Sequence, residues 1–176
     1  MVLAEEHLAT ERALLESGLP YVFLRNGWYV ENYTAQLPVV LEHGLIGAAG
    51  DGLISGAARR DLAEAAAAVL TGEGHQNRVY ELGGQSFTLA VLAAEIARQS
   101  GRDVRYSDLG ADAYAKALEG AGLPAPVAAI LADSDRAARD GALHVGGNDL
   151  EKLLGRPVTP WPEVVRAALA TLAALA

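Results

Sequence analysis

The chain has 176 residues, a formal net charge of −8, and no cysteine. With 51% apolar and 20% charged residues, it has the composition of a folded globular domain with a sizeable core, which excludes a disordered chain. The absence of cysteine excludes disulfides, zinc–thiolate sites, iron–sulfur clusters and cysteine nucleophiles.

The charge pattern and the apolar pattern also bear on partners. Arginines are scattered rather than clustered, so we expect no nucleic-acid partner. No apolar run approaches the roughly 18 residues that a membrane span requires, so we expect no membrane partner. Nothing at the beginning of the chain resembles a signal peptide, and we therefore predict a cytoplasmic location.

The first elements in chain order are a helix and a strand. Residues 3–17 have the apolar spacing of an amphipathic helix, and Gly18 ends it. The apolar run 21–24 follows Pro20, and a continuous apolar run predicts a parallel strand that is buried on both faces. The segment 26–33, NGWYVENY, leaves the carboxyl end of this strand, which is where ligands bind in open α/β sheets.

The middle of the chain repeats the alternation of strand and helix. We predict a helix over 61–70 with Asp61 as its N-cap, a strand over 78–82, a helix from Thr88 to about residue 100, and a short strand within 103–108. From Asp112 onwards the pattern is mainly helical. The chain is thus predicted to be one α/β domain over 1–176, mainly α/β over 1–110 and mainly helical over 111–176.

Four dispersed histidines have no paired spacing, so no metal site is predicted. The glycine-rich segments 47–52 and 144–149 could bind a phosphate, but they lack the dinucleotide-binding pattern, and ordinary turns are the preferred interpretation. His7 and Glu11 are four residues apart on one helix face. Their side chains could form a hydrogen bond that orients the imidazole, or only a surface pair.

The segment NGWYVENY carries the densest group of candidate binding side chains. Aromatic faces could stack on a flat ring while the amides bind its edge. Alternatively, Trp28 and Tyr33 could simply pack beneath the helical part of the chain, and the sequence pattern leaves both interpretations open.

Three stretches together carry a family resemblance: EEHLATERALLESGLPYVFLRNGWYVENY, GAAGDGLISGAARRDLAEAAAAVL and RVYELGGQSFTLAVLAAEIARQSG. They resemble the NmrA-like atypical short-chain dehydrogenase/reductases, and especially their NAD(P)H:quinone oxidoreductase branch. The resemblance implies a partial Rossmann-like parallel sheet with helices and a small C-terminal helical cap. It also implies an NADPH cofactor that transfers hydride to a quinone-like acceptor.

By the same resemblance, His7 occupies the catalytic position, Asn26 and Gly27 lie in the loop on the nicotinamide side, and Trp28, Tyr29, Asn32 and Tyr33 build the acceptor pocket. The likeness extends over nearly the whole chain but corresponds to the C-terminal, substrate-side part of such reductases. Strand 1 and the glycine-rich turn that follows it in the family have no counterpart.

We therefore expect a truncated chain that alone binds NADPH weakly or not at all, and that associates with a second copy of itself or with a separate N-terminal half. Two other interpretations stay open. One is a noncatalytic NmrA-like binding or regulatory module. The other is an enzyme of unrelated chemistry that uses His7, Glu11 and the aromatic loop.

Overall fold

A computed structural model describes residues 1–175. Its helices are α1 Leu3–Glu16, α2 Glu31–Thr34, α3 Leu37–His43, α4 Arg59–Thr71, α5 Leu89–Ser100, α6 Ala111–Gly120, α7 Ala125–Arg139, α8 Asp149–Leu154 and α9 Trp161–Ala174. Its strands are β1 Val22–Asn26, β2 Leu45–Gly47, β3 Ile54–Ser55, β4 Arg78–Leu82, β5 Ser86–Phe87 and β6 Tyr106–Asp108. The mixed α/β class predicted from the sequence is confirmed.

Three pairs of strands form the sheet structure of the described chain. β1 pairs in parallel with β4, and β2 pairs in parallel with β6. β3 and β5 pair antiparallel, so the expectation that all paired strands are parallel is wrong for this pair. Two strands pair antiparallel when the chain reverses its direction between them. A parallel pair instead requires a crossover connection that brings the chain back to the end of the sheet where the first strand began.

The prediction that β1 is buried on both faces is also wrong. Of its five residues only Phe23 is buried, while Arg25 and Asn26 at its carboxyl end are exposed. The physical reason is that α1 has no buried residue and therefore does not cover the strand. β1 lies at the surface, with its carboxyl end open to solvent.

Three clusters of buried side chains form the core. The largest joins the segment after β1 to α5 and α9, and it includes Tyr33, Phe87 and Trp161. A second lies between α4, β4 and α8. A third lies between α6 and α7, with Tyr114 in it. Tyr33 thus belongs to the main core as well as to the segment that leaves β1.

The helix ends show where the sequence patterns succeeded and where one did not. α5 lies where a helix from Thr88 to about residue 100 was predicted: the Thr88 side chain accepts a hydrogen bond from the Val91 N–H, and Gly101 follows the helix in the left-handed conformation. Asp61, however, is not an N-cap, because α4 begins two residues earlier, at Arg59. Asp61 lies inside the first turn and is fully buried.

None of the described helices combines the length and apolar character that a membrane crossing requires.

Candidate functional site

A cavity of about 750 Å³ opens beside the carboxyl end of β1. Its volume is in the range of small-molecule sites. The seven site residues predicted from the sequence all line it: His7, Asn26, Gly27, Trp28, Tyr29, Asn32 and Tyr33. The structure therefore brings together in one cavity residues from α1 and from the segment that follows β1.

Backbone hydrogen bonds hold the start of this segment against the neighbouring strands. The Gly27 N–H donates to the Leu82 carbonyl oxygen at 2.7 Å, and the Ala57 N–H donates to the Trp28 carbonyl oxygen at 2.9 Å. A Cβ atom on Gly27 would lie 2.9 Å from the same Leu82 oxygen. Close backbone approach to β4 thus requires glycine at position 27.

Glu31 has a structural role that the sequence did not reveal. Both of its carboxylate oxygens accept a hydrogen bond from the Arg59 N–H, at 3.0 and 3.2 Å, so Glu31 caps the N-terminus of α4. The Arg59 guanidinium donates to the Asn32 side-chain oxygen at 3.2 Å and lies 5.3 Å from the centre of the Tyr29 ring. Arg59 therefore positions two of the predicted acceptor-binding side chains.

Glu11 pairs with an arginine rather than orienting His7. Its carboxylate accepts two hydrogen bonds from the Arg25 guanidinium, at 2.8 and 2.6 Å. These bonds hold the pKa of Glu11 below its usual value. The imidazole of His7, which is exposed on α1, is therefore not held by Glu11, although both residues lie on the same helix face.

The inner end of the cavity combines aromatic side chains with a buried carboxyl group. Tyr33, Tyr114 and Asp135 are buried, and all three line the cavity. One oxygen of Asp135 accepts a hydrogen bond from the Ala48 N–H at 2.7 Å. Burial raises the pKa of Asp135 to about 6, against the opposing effect of this hydrogen bond.

The sequence analysis missed Asp135 and Tyr114. The signal for Asp135 was present, because it lies at helical spacing from Ala128, Ala132 and Ala138 on the apolar face of α7. An acidic residue on such a face is buried, and burying a carboxylate is costly unless a hydrogen-bond donor or a cation pairs with it, so its presence indicates either such a partner or a function. Its partner Ala48 is 87 residues away, which helical spacing could not identify.

The glycine-rich segment 47–52 is a closed turn, which agrees with the preferred interpretation. The Gly50 N–H donates to Asp108 at 3.0 Å, and Arg139 donates to the Ala48 carbonyl oxygen at 3.0 Å. Gly44, Gly47 and Gly50 have the G-x-x-G-x-x-G spacing of a dinucleotide-binding turn. However, strand β2 lies within this stretch, and it is followed by strand β3 rather than by a helix. The segment thus lacks the helix N-terminus that binds a pyrophosphate.

Other site types have little support. Among residues 1–175, no group of three potential ligand side chains could hold a metal ion. The second glycine-rich segment, 144–149, leads into α8, which has only six residues.

The fold and the cavity define the class of the protein: a Rossmann-like α/β fold with a cavity at the carboxyl end of a parallel strand, the place where such folds bind ligands. A comparison with models of known protein families found no match. Comparisons with individual proteins are more specific. The chain is 51% identical over 165 residues to quinone oxidoreductase 2 of Escherichia coli strain K12, an alignment that covers 93% of this chain and 58% of that protein.

Two further comparisons also match oxidoreductases. An NmrA-like family domain-containing oxidoreductase of Aspergillus flavus is 30% identical, over 93% of this chain and 54% of that protein. The crystal structure of an NADPH-dependent quinone oxidoreductase from E. coli, complexed with NADPH, superimposes with a TM-score of 0.93 at 48% identity, covering 95% of this chain and 60% of that one. The chain is thus similar to E. coli quinone oxidoreductase 2 and to an NmrA-like family oxidoreductase. It spans somewhat more than half the length of these relatives.

Proposed function

We propose that this chain forms the acceptor-binding side of an NADPH-dependent quinone oxidoreductase. The observation that carries the proposal is the gathering of His7, the segment 26–29, Asn32 and Tyr33 around one cavity at the carboxyl end of β1. The 51% identity to the E. coli enzyme supports it. The reaction would reduce a quinone to a hydroquinone by the addition of one hydride and one proton.

The cavity wall suits a flat, apolar acceptor ring. Trp28 and Tyr29 offer aromatic faces, and stacking of rings on such faces contributes about 0.5 to 1.5 kcal/mol beyond the burial of area. The guanidinium of Arg59 holds the Tyr29 ring and the Asn32 side chain in place. We therefore assign Trp28, Tyr29, Asn32 and Tyr33 to acceptor binding.

The nicotinamide end of NADPH fits the residues beside the acceptor site. The Asn26 side-chain nitrogen makes only a long, 3.5 Å hydrogen bond to the Tyr29 hydroxyl, so the amide can exchange it for a nicotinamide carboxamide. Gly27 next to it presents no side chain that would obstruct a bound ring. NADPH, when bound, supplies the hydride. A cradle for its pyrophosphate is not found among residues 1–175, and we propose that binding by this chain alone is weak.

His7 would hold the proton that the acceptor oxygen takes up. Its side chain is exposed and lines the same cavity, and the nearby Glu11 carboxylate is bonded to Arg25. An imidazole can release a proton near neutral pH, which makes it the commonest general acid in enzymes. We assign His7 this role, at the oxygen that becomes a hydroxyl.

We also propose that the chain associates with another polypeptide in the cytoplasm. Within the described residues β1 pairs with β4 alone, so one edge of β1 offers unpaired backbone groups. Leu8 and Leu15 of α1 are about half exposed. An open strand edge and exposed leucines favour association, with a second copy or with a separate N-terminal half as the partner.

A noncatalytic binding module is the second candidate function. The closed glycine-rich turn at 47–52 favours this function, because the turn offers no site for the pyrophosphate of a hydride donor. A protein that only senses a ligand needs the acceptor cavity and no hydride transfer. An enzyme of unrelated chemistry that uses His7 and Glu11 is disfavoured by the pairing of Glu11 with Arg25.

Reduction of a quinone by added NADPH tests the proposal directly. Because we propose weak NADPH binding, we expect a low rate that is measurable only at high NADPH concentration, and that falls by about 100-fold or more in His7→Ala, the size typical of a lost general acid. His43→Ala is the matched control, because His43 is exposed at the end of α3 and does not line the cavity. Calorimetric titration with NADPH, with the mass in solution measured on the same sample, reports cofactor binding and association separately.

The outcomes separate the two candidate functions. Equal rates in His7→Ala and in the unmodified chain would contradict the catalytic assignment. Binding of quinone without any turnover, at cofactor concentrations that saturate the chain, would favour the noncatalytic module.

A further inference from the structure

One buried carboxyl group in the cavity wall takes no part in acceptor stacking or in proton delivery by His7. Asp135 is only 6% exposed, yet it lines the cavity. Leu131, one turn before it on α7, lines the same cavity, so this face of the helix points towards it. Burial of a carboxylate is costly unless hydrogen bonds and an opposite charge compensate for it. The partners of Asp135 therefore decide whether the group serves the scaffold or a ligand.

The segment at the end of β2 holds one of the two carboxylate oxygens. Oδ2 of Asp135 accepts a hydrogen bond from the Ala48 N–H at 2.7 Å. Gly47 makes room for this oxygen, because a Cβ atom at that position would lie 2.7 Å from it. These contacts orient the side chain and leave Oδ1 as the oxygen that can accept from another donor.

The second oxygen, Oδ1, has no donor and stays accessible. No described residue donates a hydrogen bond to it, and it is not one of the buried polar atoms that are closed to solvent. In this respect Oδ1 differs from the Trp28 indole nitrogen and the Tyr33 hydroxyl, both of which are closed to solvent. A group inside the cavity can therefore reach Oδ1.

The arginine that acts on Asp135 bonds elsewhere. Arg139 is near enough to lower the pKa of Asp135, but its guanidinium donates to both oxygens of Asp108, each at 2.8 Å, and to the Ala48 carbonyl oxygen at 3.0 Å. Burial outweighs these effects and raises the pKa of Asp135 to about 6. At pH 8 the carboxyl group is therefore ionised, and within residues 1–175 it has no ion-pair partner.

We propose that Asp135 is a specificity residue that binds an N–H donor on the acceptor ring, such as an amino substituent, through its open Oδ1. An ionised carboxylate accepts hydrogen bonds and donates none, so it disfavours a bare carbonyl oxygen at the same place. The cavity therefore selects amino-substituted quinones over quinones with an alkyl group at that position. This inference rests on the proposed function, and it names the substituent that the acceptor carries at the inner end of the cavity.

Direct binding of two matched probes tests this selection without cofactor. The probes are 2-amino-1,4-naphthoquinone and 2-methyl-1,4-naphthoquinone, whose substituents are similar in size while only the amino group donates. Their dissociation constants are measured at pH 8 by ligand-observed nuclear magnetic resonance on the 176-residue chain.

The test variant is Asp135→Asn, which keeps the shape of the side chain. Its one oxygen would accept from the Ala48 N–H, so its amide nitrogen would take the place of Oδ1 and present a donor instead of an acceptor. Asp140→Asn is the matched control. Asp140 is exposed at the end of α7, lies 3.7 Å from the Arg136 guanidinium, and does not line the cavity.

We expect the unmodified chain to bind the amino probe about 10-fold or more tightly than the methyl probe, the effect of one hydrogen bond to a charged acceptor. Asp135→Asn should abolish this preference and still bind the methyl probe, which shows that the variant is folded. Asp140→Asn should keep the full preference.

The results that would overturn the role of Asp135 differ in what else they affect. If the unmodified chain binds both probes equally, or if Asp135→Asn keeps the full preference, the selection by Asp135 is wrong while the acceptor cavity stands. If the unmodified chain binds neither probe, the cavity is not an acceptor site, and the proposed function fails together with the role of Asp135.

Discussion

Asp61 connects the start of α4 to the segment between α8 and α9, and its removal should destabilise the fold. Its carboxylate is fully buried and accepts three hydrogen bonds. The Arg156 guanidinium donates at 2.8 Å, the Thr159 N–H at 2.6 Å and the Thr159 hydroxyl at 2.9 Å. Burial alone would raise the pKa of Asp61, but these bonds outweigh it and hold the pKa below its usual value.

The structure gives the size of the effect. In Asp61→Ala the two Thr159 donors lose their acceptor in a partly buried site, at about 1 kcal/mol each. Arg156 is 39% exposed and keeps Glu64 as a partner, so its lost bond adds only about 1 kcal/mol. The sum is about 3 kcal/mol of unfolding free energy, a large share of the roughly 5 to 15 kcal/mol typical of a domain.

Urea denaturation at pH 7 measures this loss, and Asp103→Ala is the matched control. Asp103 also pairs with an arginine, Arg105, but both side chains are more than 70% exposed, so its removal should change stability by less than about 0.5 kcal/mol. Because the folded pKa of Asp61 is depressed, its contribution is present above the unfolded pKa, near 4, and is lost as the pH falls through the folded pKa. A loss below about 1 kcal/mol at pH 7 would refute this reasoning.

Two further variants test the residues around the cavity. Asp135→Asn should stabilise the chain at pH 7 to 8. Burial raises the pKa of Asp135 from 3.8 to about 6, a shift that corresponds to about 3 kcal/mol of unfolding free energy. The charged carboxylate therefore lowers stability progressively between pH 4 and pH 6, and the whole penalty is present above pH 6. Denaturation from pH 4 to 8 checks this, and an unchanged pH profile would contradict it. Gly27→Ala should destabilise the chain by about 1 to 3 kcal/mol, because its Cβ would lie 2.9 Å from the Leu82 oxygen. A neutral thermal melting result would contradict the requirement for glycine.

The elements that the sequence predicted well are those in which local pattern and capping agree. α5 ends at Ser100 before Gly101, and β4 spans the predicted residues 78–82. The burial of β1 was not predictable in this way, because an apolar run indicates affinity for a core but not which neighbours cover it. Asp61 was misassigned for a similar reason: a carboxylate near a helix start resembles a cap, and its actual partner, Thr159, is 98 residues away.

The composition of the candidate site was easier to predict than its chemistry. The family resemblance identified the residues that line the cavity, from His7 to Tyr33, and the structure places them together. Long-range partners then changed individual roles. Glu31 caps α4 through Arg59, and Glu11 binds Arg25. Side-chain partners 14 to 28 residues apart leave no periodic signal in a single sequence.

These partnerships divide the carboxylates near the cavity into two kinds. Glu11 and Glu31 accept hydrogen bonds at both oxygens, so their charges are satisfied and they serve the scaffold. Asp135 is buried in the cavity wall with a single backbone N–H as its hydrogen-bond donor, which is an expensive arrangement for a charged group. Groups that shift their pKa towards neutrality within a cavity cluster at functional sites. Burial, and after it the nearby Asp135, raises the pKa of the Tyr33 hydroxyl well above its usual value.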